Sequence, residues 1–270
     1  MDKHVKEFFS ESSDENKPDG NFHRVIALHT SPEIKWKEIS KKAPTLPRGW
    51  YELAHLSIKD RIEFLRDFWL AKLPYRAGLD EILNHFFSTL DDIGIYITQT
   101  SAGEPYKAQL IYSLKNNTGF YRGSPPASDE DVVNLQSLFL EYVFPKDYIA
   151  FLQIHDGFWK TTDTTGLTRS DNMFESYAMF QSLIKNELPM TRSSKEEVNP
   201  KSLIPFYESF GMPYYQCFWG EWYPEDEMGN VYYSSESKTI SDVKGSDLTC
   251  KSMAFPTFTD WLMFYLEPVE

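Results

Sequence analysis

Two short stretches of this chain hold residues whose types and spacing could do chemistry. The first is Phe144–Trp159, FPKDYIAFLQIHDGFW, where His155 and Asp156 stand side by side ahead of Gly157. A histidine oriented by a carboxylate serves as the base of a nucleophilic triad, but it needs a serine or cysteine nucleophile within reach. No G-x-S-x-G or comparable cysteine motif accompanies the pair. The same residues have a full structural account. Pro145 and Asp147 suit the first turn of a helix, one by its fixed backbone angle and the other by its charge on the helix dipole. Tyr148, Phe151, Leu152 and His155 are spaced to share a face, and Gly157 stands where a left-handed C-terminal cap is wanted. The triplet therefore reads as the end of a helix, and no catalytic residue is assigned.

The second stretch is Trp219–Asn230, WGEWYPEDEMGN. Paired carboxylates beside aromatics suit glycoside hydrolysis, but no second, separated carboxylate motif stands opposite them. A calcium loop needs ligands at alternating positions and a late glutamate, a pattern that EDEMGN lacks. Two readings remain. One is an acidic, aromatic loop that recognises a basic partner through Glu221, Trp222, Tyr223, Glu225, Asp226 and Glu227. The other is a solvated turn whose tryptophans pack inward. Elsewhere, Asp163 and Asp171 fall in a polar segment and are expected to be solvated. Gly211, Gly220 and Gly229 are isolated, so no phosphate-cradling loop is present. Cys217 lies in an aromatic strand and is expected to be a buried thiol. With Cys250 as the other cysteine, the chain has neither a disulfide framework nor a zinc site, and a reduced compartment fits. No metal or cofactor is expected.

The elements that must position these stretches divide the chain. Residues 10–21, SESSDENKPDGN, are polar and rich in helix breakers, and residues 1–24 are expected to be a disordered tail. Val25–Leu28 reads as a short strand. Ser57 and Asp60 have the spacing of a capping box, and Ile58, Ile62, Leu65, Phe68 and Trp69 follow at helical spacing until Pro74. Leu79–Leu90 reads as a second helix. IGIYIT, AQLIYSL and GFYRG then read as strands of a meander, so residues 25–124 form an α+β segment. GSPPASDED marks a boundary, and Ser128 with Asp131 caps a new helix. After the Phe144–Trp159 stretch come a helix at Phe174–Leu188, strands at LIPFY, YYQCFWG and NVYYS, and a last helix in FPTFTDWLMFYLE capped by Thr257 or Thr259. Residues 125–270 are read as one domain.

Charge follows the same division. Residues 1–125 carry 17 Lys+Arg and 17 Asp+Glu, whereas residues 126–270 carry 10 and 23, so the whole net charge of −13 falls in the second part. Phosphate neutralisation needs a basic surface, and a nucleic-acid binder is therefore excluded. The N-terminus has no apolar core of a secretory signal, and no apolar run reaches the length of a membrane span. A cytoplasmic location is expected, with no membrane association.

The helix FPKDYIAFLQIHDGF resembles the signature of the SUKH superfamily, whose best-known branch is the Smi/Knr family of cell-wall regulators. That signature runs approximately Leu-Pro-x-Asp-Tyr-x-x-Phe-Leu and then Asn-Gly. Pro145, Asp147, Tyr148, Phe151, Leu152 and Gly157 match it, while Phe144 and Asp156 depart from it. Pro205 in LIPF, Gly229 in GNVYY and the aromatic FTDWLMFYL helix follow in the family's order. Glu208-Ser209-Phe210-Gly211 stands where members often have a Gly-Asn turn. The resemblance covers roughly Pro126–Glu270, and residues 1–125 match nothing. It implies an α+β fold with a mixed, mostly antiparallel sheet flanked by helices. It further implies binding rather than catalysis: bacterial members are largely immunity proteins that neutralise toxins, and fungal members are regulators that bind signalling proteins. A non-enzymatic immunity protein against a basic toxin is the leading expectation. A regulatory or scaffold protein binding signalling or cell-wall-synthesis partners is the alternative.

Overall fold

The computed structural model describes residues 1–12, 20–163, 165–185, 191–192, 197–209, 214–241, 243 and 253–267. The fold is α+β, with mostly antiparallel strands flanked by helices. The chain separates into two compact units. The first comprises Met1–Ala71 and Leu83–Pro126; the second comprises Lys72–Ile82 and Ala127–Glu270.

The first unit is an antiparallel sheet of β1 (Arg24–Ala27), β2 (Leu90–Gln99), β3 (Lys107–Leu114) and β4 (Phe120–Gly123), adjacent in that order. Its helices are α1 (Lys3–Phe8), α2 (Trp36–Lys42), α3 (Arg48–Leu53), α4 (Ile58–Lys72) and most of α5 (Leu79–Ser88). Ser57 caps the start of α4: its hydroxyl donates to the Asp60 carboxylate at 2.7 Å and accepts the Asp60 N–H at 3.3 Å. The apolar stripe of α4 then delivers Trp69 onto β3, where its indole N–H donates to the Tyr112 hydroxyl at 3.0 Å. Arg61, on the same helix, is buried. It spans Asp92 (2.7 Å) and the Leu56 carbonyl (2.8 Å), which keeps its charge paired inside the unit.

The N-terminus corrects the sequence expectation. Residues 1–12, placed there within a disordered tail, belong to this unit. The Val5 and Phe9 side chains of the α1 region pack with Phe22, Tyr96, Ile111 and Phe120. The Asp2 carboxylate accepts the Gly119 N–H at 2.8 Å, and the Asp2 N–H donates to Ser113 at 2.6 Å. The polar content of SESSDEN hid this, because KHVKEFF is too short to show helical period. Residues 13–19 of the same expected tail lie outside the described residues.

In the second unit the strands run β5 (Phe158–Lys160), β6 (Gly166–Leu167), β8 (Leu203–Glu208), β9 (Tyr214–Trp219), β10 (Asn230–Ser234), β11 (Thr239–Ile240) and β7 (Thr191–Arg192), with β12 (Ala254–Phe255) also against β10. The pairs are antiparallel except β11 with β7. Alternation along β9 splits the core into two layers. Phe218, with Phe206 of β8, faces α7 (Lys146–Leu152) and α9 (Phe258–Leu266), meeting Tyr148, Phe258 and, from Phe206, Trp261. Cys217 and Trp219 point the other way, into a layer closed by Phe180 and Ile184 of α8 (Met173–Ile184). Pro205 has no N–H for the ladder, and the pairing shifts register between Pro205 and Tyr207. The remaining helix is α6 (Asp129–Leu138), whose Ser128–Asp131 capping box is complete.

The opening helix is shorter than the sequence implied. α7 ends at Leu152 with Gln153 as its cap, so His155, Asp156 and Gly157 form the turn that leads to β5 rather than the helix's last residues. Gly157 has φ +99°, and a Cβ there would sit 2.7 Å from both Arg169 and Trp159.

Candidate functional site

His155 is buried and stacks on Phe158, with ring centroids 5.4 Å apart at 15°. Asp156 is buried too. Its carboxylate accepts the Ser170 N–H at 2.6 Å and the Ser170 hydroxyl at 3.0 Å, fixing the start of the next segment. Burial raises the Asp156 carboxyl above the ordinary range, against the pull of those hydrogen bonds and of Arg169. The pair takes part in packing and in the turn that leads to β5.

The acidic turn is built by β9 and β10, which bring Trp219 and Asn230 to its two ends. Trp219 is buried in the α8 layer, and its N–H donates to the Gly229 carbonyl at 2.9 Å. The Trp222 N–H donates to the Trp219 carbonyl at 3.0 Å, and the Trp222 carbonyl accepts the Gly229 N–H at 2.9 Å. The Trp222 indole lies over Gly229, where a Cβ would come within 2.4 Å of the ring. Trp222, expected at a partner surface, is half-buried, and Gly229 leaves its indole a place to pack beside the α8 layer. Tyr223 is the exposed aromatic of the turn, at 48%.

The acids divide in the same way. Glu225 receives both bonds of one Arg76 nitrogen, at 2.8 and 3.0 Å, while the other side of that guanidinium grips Asp260 of α9 at 2.6 and 2.7 Å. The hydrogen bonds that Arg76 donates to Asp260 and then to Glu225 raise its pKa further above its already high value. Glu227 accepts the Lys146 N–H at 2.8 Å, capping α7, and lies 3.3 Å from the Lys146 ammonium. Glu221 and Asp226 are exposed. Asp226 adopts φ +62°, a left-handed conformation that Asp tolerates in turns.

Between the turn and the helix starts lies a cavity of about 220 Å³ whose lining includes Tyr75, Arg76, Lys146, Asp147, Glu225 and Glu227. Its carboxylates already have donors in the chain. Asp147, the most buried, accepts from Tyr148 and Thr259, and burial pushes its carboxyl up despite those bonds. Ion pairs and helix caps of this kind fasten the turn. Among the described residues, no group of three or more His, Cys, Asp or Glu is gathered as a metal site.

The sequence reading missed Arg76, which has no motif around it and whose partners lie 149 and 184 residues away. Asp163, expected to be solvated, is instead a half-buried acceptor for the hydroxyls of Tyr207 (2.9 Å) and Tyr265 and for the Lys160 N–H (2.9 Å). Asp171 is exposed and pairs with Arg169 at 2.9 Å. Cys217 is fully buried, and burial raises its thiol well above the usual range. Cys250 lies outside the described residues. Among the described residues no helix is long and apolar enough to cross a membrane.

Comparisons with curated proteins and with solved structures return no match. The model of the SMI1 / KNR4 family (SUKH-1) matches residues 126–263, a span that opens just before the α6 capping box and ends within α9. It takes in Pro145, Asp147, Tyr148, Phe151, Leu152, Gly157, Pro205 and Gly229, together with the acidic turn and the two helix starts to which that turn is tied. With just over half of its length matched, the chain belongs to the SMI1 / KNR4 family (SUKH-1).

Proposed function

We propose that this protein is a non-enzymatic binding protein whose second unit engages a basic protein, and that it neutralises a basic toxin in the manner of an immunity protein. The observation that carries the proposal is the charge asymmetry: residues 126–270 hold 23 acidic and 10 basic side chains, and residues 1–125 hold 17 of each. Family membership supports it, since the family acts by binding other proteins. The exposed residues of the acidic turn, Glu221, Tyr223, Glu225 and Asp226, supply the contact chemistry, while the bonds of Glu225 to Arg76 and of Glu227 to Lys146 hold the turn in shape. A cytoplasmic setting accords with the buried Cys217 thiol.

A second reading is a regulatory or scaffold role. The first unit, which the family match does not cover, favours it by offering another surface of a different composition.

The test is capture of partners with the full chain from its native cell, followed by co-expression of each partner with the chain. A basic partner whose expression arrests growth, with growth restored by this chain, is the expected result. A basic partner that is harmless alone would favour the scaffold role, and an acidic partner would contradict the charge argument.

A further inference from the structure

Gln216 interrupts the aromatic face that β9 turns toward α9. Phe218 on that face is sealed by α7 and α9, and Gln216 and Tyr214 follow at steps of two residues. Tyr207 of β8 and Tyr232 of β10 stand opposite Gln216 in the ladder, so the three form a row. With Trp261 and Tyr265 of α9 these residues line a cavity of about 660 Å³, inside the range of about 300–1,000 Å³ typical of small-ligand sites. Its rings meet one another: Tyr207 lies 5.2 Å from Trp261 and 5.3 Å from Tyr265, and Tyr214 lies 5.4 Å from Tyr232.

Gln216 is only 2% exposed, and its neighbours fix which way its amide points. The Asn230 Nδ2 donates to the Thr257 carbonyl at 2.9 Å, so Asn230 Oδ1 is the atom turned toward Gln216. Gln216 must then donate there, and its Nε2 serves Asn230 Oδ1 at 2.7 Å and the Met253 carbonyl at 3.1 Å. Its Oε1 is left buried with no partner among the described residues. The Ser209 hydroxyl, which also lines the cavity, is in the same state. A buried acceptor without a donor is costly, so the site favours a ligand that brings N–H or O–H groups.

The rest of the wall favours a cation. The hydroxyls of Tyr207 and Tyr265 donate to Asp163, and that of Tyr214 donates to Glu236 at 3.2 Å, which leaves these tyrosines lone pairs and ring faces to offer. Asp163 and Glu267 line the cavity against Lys160. The Lys160 ammonium itself rests over the Tyr265 ring, 4.3 Å from its centroid, so one ring of the wall already holds a cation. Burial first, then Tyr214 and Glu236, raise the Tyr232 phenol to about 12, so an acid acts on the Tyr214–Tyr232 pair as well. We infer that this cavity receives an arginine side chain of the basic partner, its guanidinium lying against Tyr214 and Tyr232 and donating to Gln216 Oε1. The inference rests on the protein-binding reading and names the residue by which the partner is held. A guanidinium stacks on a ring and keeps N–H groups in its plane to donate. A quaternary ammonium has no donor for Gln216, and a neutral amide gains nothing from Asp163, Glu236 and Glu267.

The probes are three peptides capped at both ends. Gly-Arg-Gly carries the guanidinium, Gly-citrulline-Gly keeps N–H groups without the charge, and Gly-Lys-Gly keeps the charge without the plane. Isothermal titration calorimetry with the full chain should show the arginine peptide binding about tenfold tighter than either control. Tyr232→Leu, at a half-buried position, should keep a cooperative melting transition and lose about tenfold for the arginine peptide. Gln216→Met, which removes the acceptor, should lose as much; if the missing bond to Asn230 unfolds that variant, Tyr232→Leu decides alone. Equal binding of the citrulline peptide, equal binding by Tyr232→Leu, or no binding of the arginine peptide would overturn the inference. The acidic turn stands at the other end of β9, so the two places vary independently. A captured partner that responds to Glu221→Gln/Asp226→Asn but not to Tyr232→Leu would overturn the inference and leave the protein-binding reading standing. Arginine binding without any captured protein would keep the cavity as a guanidinium site and overturn that reading.

Discussion

One carboxylate oxygen of Asp147, in the first turn of α7, accepts both the backbone N–H and the hydroxyl of Thr259, in the first turn of α9, at 2.7 and 2.9 Å. The other oxygen accepts the Tyr148 N–H at 2.8 Å. A helix start leaves N–H groups without internal partners, and here one buried acid serves both starts. The contact fixes the two helices that cover Phe206 and Phe218, and it stands beside Glu227, which caps α7 from the acidic turn. Asp147 is thus a clamp between elements far apart in the chain.

Replacing that clamp should cost more than an ordinary cap. Asp147→Ala would leave three buried donors without an acceptor, for a loss on the order of 2–4 kcal/mol, and Asp147→Asn, which keeps one acceptor oxygen, about half as much. Urea unfolding of the two variants checks the order; equal stability of wild type and Asp147→Ala would show that Thr259 finds another acceptor.

Arg76 should couple unequally to its two acids. Asp260 is the less exposed partner, at 17% against 48% for Glu225. Double-mutant cycles should therefore give a coupling of about 1–2 kcal/mol for Arg76–Asp260 and below about 1 kcal/mol for Arg76–Glu225. The reverse order would mean that the turn, and not the α9 start, is what Arg76 holds.

Gly229 and Trp222 should behave as one unit. Gly229→Ala forces a methyl group into the indole and should destabilise the protein by about 1–3 kcal/mol. In a Trp222→Ala background the same substitution should be nearly neutral, because the obstructing ring is gone. Additive losses in thermal unfolding would show that the backbone at Gly229, rather than Trp222, sets the requirement.

His29 should make the first unit sensitive to mild acid. Its Nδ1 accepts the Ile95 N–H at 3.2 Å, and burial lowers its pKa; the Ile95 carbonyl at 3.4 Å opposes this more weakly. With the folded value below the unfolded one, the unfolded chain takes up the proton first. Stability is then complete above an unfolded pKa of about 6.5 and declines as pH falls toward the folded value. His29→Gln should remove that part of the slope in unfolding measurements between neutral and mildly acidic pH. An unchanged slope would rule His29 out as its source.

What the sequence disclosed, and what it hid, follows from how local each signal is. The capping pairs Ser57–Asp60 and Ser128–Asp131 announced α4 and α6, and the choice of Thr257 or Thr259 announced α9, where Thr257 is the cap, because a cap is written within four residues. The strands IGIYIT, AQLIYSL and NVYYS were legible from β-branched and aromatic runs. α2 and α3 escaped notice because six or seven residues hold too few turns for an apolar period, and β6 is two residues inside a polar segment. In the candidate site the acidic group itself was visible. Which acids are paired within the chain was not, since that depends on Arg76 and Lys146, distant in sequence. The inward packing of Trp222 likewise depends on Gly229, whose lack of a side chain is the only trace it leaves.

The central claim is that a basic protein approaches the acidic face of the second unit, and association kinetics test it most directly. A captured partner would be measured by surface plasmon resonance against wild type and against Glu221→Gln/Asp226→Asn, at low and at physiological ionic strength. Exposed charges steer encounter and are screened beyond about 8–10 Å at physiological salt. The association rate should therefore fall as salt rises, and the variant should associate more slowly with little change in dissociation. Association that ignores salt, or a variant that associates as fast as wild type, would contradict the account.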